Sequence, residues 1–173
     1  MSHGALDAIV VPSGGGGLLV GAAAVCKPQG VIVYGAEPES GGPGLQSARQ
    51  RGRRTTHFES PSTIADGLRS LTGESNWEIV KERENVEDVF TVTEQHIKEA
   101  LRLAIEELGF IIEPSAAVPL AVALFNTEFQ RRIAMKRRHV RVGIVLTGGN
   151  ISEKELRAIL PDLNLSMGYE RHM

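Results

Sequence analysis

A single cysteine, Cys26, leaves no partner for an internal disulfide and makes a reducing, cytoplasmic location the expectation. Long hydrophobic runs are also lacking. The longest, residues 18–25 and 116–125, fall well short of the roughly 20 residues that cross a bilayer. No basic start followed by an apolar stretch and a small-residue cleavage site opens the chain, so a secretory signal is not expected. Charge of one sign is missing too. The formal net charge of -2 argues against a general nucleic-acid binder. The cations Arg131, Arg132, Lys136, Arg137, Arg138 and Arg141 have no aromatics between them to stack on bases, and they read as a solvated helix face and loop. Two nucleotide signatures are absent as well. Leu19 and Val20 stand three positions after Gly16 and Gly17, where a dinucleotide fingerprint needs glycine, and no lysine follows the glycines before Lys27, as a Walker loop requires. Aromatics are sparse at 5%, yet 42% of the 173 residues are hydrophobic, enough for one soluble domain with a proper core.

What is present reads as α/β. Ile9, Val10 and Val11 form a β-branched run within residues 7–12, the pattern of a strand buried on both faces. It runs into Gly14, Gly15, Gly16 and Gly17, then into a helix-favouring stretch, 18–26, closed by Pro28 and Gly30. A second apolar run at 31–36 completes a strand-helix-strand crossover of a parallel sheet. Residues 39–62 read as surface loop around a short helix at 45–51. The clearest helix is 94–108, with Ile97, Leu101, Ile105 and Leu108 on one face, Thr93 as N-cap, Gly109 at its end, and Glu94 four residues before Lys98. A short strand at 90–92 precedes it. A buried alanine-rich helix at 115–125, with Pro119 near its first turn, a buried strand at 142–146 and a short polar helix at 153–160 follow. Residues 166–173 read as a loose tail.

A strand ending in consecutive glycines before a helix gathers unshielded backbone N–H groups and the positive end of a helix dipole at one point. Glycine suits this because no Cβ blocks an approaching anion. A tight turn is the plain alternative, but four glycines are more than a turn needs.

The run V-V-P-S-G-G-G-G-L-L-V-G at 10–21 resembles the phosphate loop of fold-type II pyridoxal-phosphate enzymes, in particular the serine racemase and threonine (serine) dehydratase family. Y-G-A-E-P at 34–38, T-I-A-D-G at 63–67, F-T-V-T-E at 90–94, I-E-P-S at 112–115 and L-T-G-G-N at 146–150 are similar to that family's further landmarks, in the same order. The similarity covers roughly residues 7–152. It implies a three-layer parallel-sheet domain, the large domain of the tryptophan synthase beta-like fold, in incomplete form. Residues 1–165 would be its C-terminal part.

The resemblance further implies pyridoxal 5'-phosphate as cofactor. Gly14, Gly15, Gly16 and Gly17 would hold its phosphate, Thr147 would face its pyridine nitrogen, and Gly67 and Glu113 would border its ring. Glu37 matches a carboxylate that helps bind Mg or Ca in metal-dependent members. The second acidic residue expected about six positions on is absent, because the chain reads E-S-G-G-P-G over 39–44, so the metal is doubtful. The family's Schiff-base lysine, in an S-x-K-x-R-G-like motif, and its S-G-N-H-like substrate loop have no counterpart here, nor has its small domain. Lys27, Lys81, Lys98, Lys136 and Lys154 all fall on surface helices or turns by this reading, so no catalytic residue is assigned. The expectation is part of a serine/threonine dehydratase (ammonia-lyase) or serine racemase that acts on a small amino acid, inactive alone, with homodimerisation as the family habit. The alternative is a non-catalytic phosphate-ligand-binding or regulatory partner of a full-length homologue.

Overall fold

The computed structural model describes residues 6–57, 62–136 and 139–163. The expected loose tail at 166–173, together with Arg137 and Arg138, lies outside them. In chain order the elements are β1 (Ala8–Pro12), α1 (Gly17–Cys26), β2 (Ile32–Pro38), α2 (Leu45–Arg51), α3 (Glu74–Val80), β3 (Asp88–Val92), α4 (Glu94–Glu106), α5 (Pro114–Phe125), α6 (Thr127–Ala134), β4 (Val142–Ile144) and α7 (Glu153–Ile159). Short 3-10 turns at Lys27–Gln29 and Asp66–Leu68 complete the list.

The four strands form one sheet in the order β3-β2-β1-β4, with every pairing parallel. Val10 of β1 sits opposite Tyr34 of β2 and Ile144 of β4. Because successive strand residues point to opposite faces, each strand feeds two cores. Ala8, Val10, Tyr34, Ala36 and Phe90 pack with α4, α5 and α7 through Ile97, Leu101, Ala117, Val118 and Leu156. Val11, Val33 and Val89 pack on the other face with Leu19, Ala23, Leu45, Trp77 and Val80 of α1, α2 and α3. The expected three layers are therefore present. On the first face Tyr34, Phe90 and Phe129 form an aromatic triad, with ring centroids 5.4 to 5.7 Å apart.

Several local expectations hold. Helix α2 spans 45–51, and the Thr93 hydroxyl caps α4 by accepting the His96 N–H at 3.2 Å. Gly30 and Gly109 adopt left-handed angles after their helices, as chain reversals there require. Others change. Leu108 lies past the end of α4 and is exposed, because the chain has already turned toward Gly109. Glu94 accepts the Ile64 N–H at 2.8 Å through Oε2, in place of the expected pairing along its helix with Lys98. Pro119 sits in the middle of α5, where its missing N–H removes an internal bond that the buried packing on both sides offsets. Strand β4 is only half-buried: it holds the edge of the sheet beside β1, so its apolar run has one strand neighbour. Arg132 is more than a solvated cation, since it bonds Asp88 at 2.7 Å and lies 5.4 Å over the Phe90 ring. Helix α3 has no periodic signal in the sequence, and α6 carries the helix face read at Arg131 and Arg132.

Truncating Phe129 removes one side of the aromatic triad and leaves a cavity against Tyr34 and Phe90. Phe129→Ala is expected to lower stability by about 3 kcal/mol, measured by urea unfolding followed through the emission of buried Trp77.

Candidate cofactor site

β1 is the strand at which chain order reverses, since β2 and β3 lie to one side and β4 to the other. In open parallel sheets such a switch point leaves a crevice beyond the carboxyl ends of the strands, where diverging connections do not fill it. Here that crevice lies between the loop after β1 and the loop after β4.

The loop after β1 begins with buried Ser13, whose N–H donates to the Ala36 carbonyl at 2.8 Å. Gly14 to Gly17 then leave the sheet, and α1 starts at Gly17 with no acidic residue in its first turn. The first amides of a helix have no intrahelical acceptor. Among the described residues, the N–H groups of Gly14, Gly15, Gly16 and Gly17 donate to no carbonyl or side chain. Gly16 has φ +90°, and a Cβ there would come within 3.1 Å of the Asn76 side chain. The Gly15 carbonyl, by contrast, is doubly held, by the Gly73 N–H at 3.1 Å and the Asn76 side-chain amide at 2.7 Å.

The facing wall is built by α5. Ser115 in its first turn accepts the Gly67 N–H at 2.9 Å, and a Cβ on Gly67 would lie 3.0 Å from that hydroxyl. Glu113, just before α5, is tied twice to the loop after β4: its N–H donates to the Gly148 carbonyl at 3.1 Å, and its Oε1 accepts the Asn150 N–H at 2.8 Å. Gly148 has φ +88°, and a Cβ there would sit 3.0 Å from the Glu113 carboxylate. Thr147 is exposed at the rim. The cleft so enclosed measures about 390 Å³, with Pro12, Leu18 and Leu68 as its apolar lining. Gly14, Gly15, Gly16, Gly17, Gly67, Glu113 and Thr147 all line it, as do Ser115 and Gly148, to which the sequence alone assigns no role.

The chain matches the family model described as Pyridoxal-phosphate dependent enzyme over residues 2–148. It belongs to that family. It is 42% identical to serine racemase of Rattus norvegicus over 148 residues, covering 84% of this chain and 42% of that protein. It is also 37% identical to L-threo-3-hydroxyaspartate ammonia-lyase of Saccharomyces cerevisiae over 160 residues, covering 91% of this chain and 46% of that protein. Among solved structures it resembles maize serine racemase with a TM-score of 0.79 and 32% identity, covering 90% of this chain and 48% of that one. The chain thus spans less than half the length of these relatives.

None of the five lysines of this pyridoxal-phosphate family member lines the cleft. Lys27 pairs with Glu84 at 3.1 Å and Lys81 with Glu78, while Lys98, Lys136 and Lys154 lie on α4, after α6 and on α7.

Glu37 stands apart from the cleft. It is 1% exposed on β2, and its two carboxylate oxygens accept the N–H groups of Leu45 and Gln46, both at 2.8 Å, at the start of α2. No group of three or more His, Cys, Asp or Glu side chains suited to a metal ion occurs among the described residues. The carboxylate acts as a helix cap at the start of α2. Burial pushes its pKa from the usual 4.5 up to about 7, against the opposing pull of the backbone N–H groups.

The folded state therefore holds a proton on Glu37 that the unfolded chain releases above pH 4.5. Stability from this group is full below that pH and falls as pH rises toward about 7, by ~3 kcal/mol in all. Urea titrations at pH 5 and pH 8 should show this decline in the wild type, and Glu37→Gln, which cannot ionise, should lack it.

Proposed function

We propose that the cleft holds pyridoxal 5'-phosphate and that this chain is the phosphate-holding part of a serine or threonine ammonia-lyase or a serine racemase, without catalysis of its own. The observation that carries this reading is the convergence of unpaired glycine amides, Gly67, Glu113 and Thr147 on one cleft that no lysine reaches. When bound, the cofactor supplies an electron sink for charge developing at the α-carbon of an amino acid. The chain's own residues bind and orient. The amides of Gly14 to Gly17, with the positive end of the α1 dipole, suit a phosphate dianion. The neutral Thr147 hydroxyl suits a pyridine nitrogen that stays largely unprotonated. Ser115 fixes Gly67, and Asn150 fixes Glu113, so the ring's two borders are set by hydrogen bonds made before any ligand arrives.

The step that makes and breaks bonds at the α-carbon needs an amine to hold the cofactor and move a proton. A lysine from outside these 173 residues must provide it. No metal role is proposed for Glu37, because α2 takes both its oxygens. That favours the lyase over a metal-activated racemase. Small amino acids as the parent enzyme's substrates, self-association as a dimer and a cytoplasmic setting complete the proposal. No helix among the described residues is long and apolar enough to cross a membrane.

Mixing the purified chain with pyridoxal phosphate, reducing with borohydride and weighing the product tests this directly. Reversible binding without a stoichiometric adduct is expected, and Gly16→Ala, strained at φ +90°, should weaken binding at least ~10-fold. A full adduct at one lysine would overturn the claim that the chain lacks a catalytic amine. Failure of the wild type to bind would sink the cofactor reading.

A further inference from the structure

The glycine loop can receive a phosphate only if its amides face the cleft, and glycine, being free at φ and ψ, does not enforce that by itself. Something else must select the orientation. Among the described residues, the Gly15 carbonyl is the one group of the loop that takes two donors from outside α1, the Gly73 N–H at 3.1 Å and the Asn76 Nδ2 amide at 2.7 Å. Both come from the start of α3, where Gly73 precedes the helix and Asn76 lies in its first turn. Helix α3 does not line the cleft.

A trans peptide points its C=O and its following N–H in opposite directions, and every peptide bond described here is trans. Drawing the Gly15 carbonyl onto α3 therefore turns the Gly16 N–H away from α3, and Gly16 itself lines the cleft. The fit is close. Asn76 is partly buried, its Cβ and amide lie against the space where a Gly16 side chain would stand, and Thr72 closes the same space. Helix α3 is anchored in turn, since the Thr72 carbonyl accepts from Arg54 at 3.3 Å, and Trp77 and Val80 are buried in the sheet's second core.

We propose that Asn76 is a positioning residue for phosphate recognition: by holding the Gly15 carbonyl it presents the Gly16 amide to the cofactor phosphate without touching the cofactor. This rests on the reading of the cleft as a pyridoxal-phosphate site. It makes α3 part of the phosphate-binding apparatus and separates affinity for the phosphate from affinity for the ring. Asn76→Ala loses the side-chain donor, while Asn76→Asp keeps the shape but sets a carboxylate oxygen against the Gly15 carbonyl.

The test measures dissociation constants of the wild type and both variants for pyridoxal phosphate, for inorganic phosphate and for pyridoxal, which lacks the phosphate. It also follows the Gly16 amide resonance during titration with inorganic phosphate. Asn76→Ala should weaken pyridoxal phosphate and inorganic phosphate about tenfold, as loss of one hydrogen bond's worth of orientation implies. Asn76→Asp should weaken them more. Binding of pyridoxal should change less than about twofold, and the phosphate-induced shift of Gly16 should shrink in step with affinity. A variant that weakens all three ligands equally, or an Asn76→Asp that binds phosphate as the wild type does, overturns the inference and leaves the cofactor reading standing. If Asn76→Ala fails to fold, Asn76→Asp and the wild-type Gly16 resonance still decide, because a Gly16 amide that does not respond to phosphate refutes the proposed orientation. A wild type that binds pyridoxal but neither phosphate compound overturns the phosphate cradle itself.

Discussion

β1 exchanges backbone hydrogen bonds with β2 on one side and with β4 on the other, in parallel register from Ala8 through Val10. That double pairing brings two loops more than a hundred residues apart in sequence to the same end of the sheet. One carries Gly14 to Gly17 and the other Thr147 to Asn150. Without β4 against β1, the glycine loop would still end a strand, start a helix and face α5, but the cleft would lose the side formed by Thr147 and Gly148. The helices follow from the same constraint: a parallel strand order needs crossovers, and these place α1, α2 and α3 on one face and α4, α5 and α7 on the other.

Within the crevice the protein spends its hydrogen bonds on holding its own walls. Ser115 takes the Gly67 N–H, Asn150 gives its N–H to Glu113, and Gly73 with Asn76 hold Gly15. The amides of Gly14 to Gly17 are left over. A preorganised site of this kind has met its ordering cost in folding, so a ligand need not supply it. Three glycines of the cleft bring main chain close against a side chain: Gly16 against Asn76, Gly67 against Ser115, and Gly148 against Glu113. At each, a methyl group would force a neighbour to move.

Sequence reasoning reached the elements whose signals are local. The β-branched run of β1, its glycines and the helix after it, the amphipathic stripe of α4 and the Thr93 cap each follow from adjacent residues. All seven residues expected at the cofactor lie on one cleft, because they sit in motifs at strand ends and helix starts. What escaped depends on contacts distant in sequence. Helix α3 is seven residues long and buries only Trp77 and Val80, too short a pattern to read as periodic. Asn76 therefore carried no signal: its role exists only because α3 folds back onto a carbonyl 61 positions earlier. The apolar run of β4 suggested a strand covered on both sides, since composition reports what a residue prefers and not which strand is the last of the sheet. Glu37 matched a metal-binding carboxylate by position, yet whether its oxygens meet a cation or the amides of α2 is decided by how the loop at 39–44 closes.

The arrangement divides the chemistry of the site in a definite way. Among the described residues, everything at the cleft is neutral or anionic apart from the helix dipole: backbone amides, two hydroxyls and the Glu113 carboxylate, with no lysine or arginine in the lining. Backbone amides recognise a phosphate without becoming competing nucleophiles or amines. A lysine placed beside them would pair with the phosphate, and the charge of that pair would raise its pKa and keep it protonated. An amine that must attack an aldehyde works only when deprotonated. Glycine amides can therefore receive an anion at neutral pH without a neighbouring cation whose protonation that anion would fix.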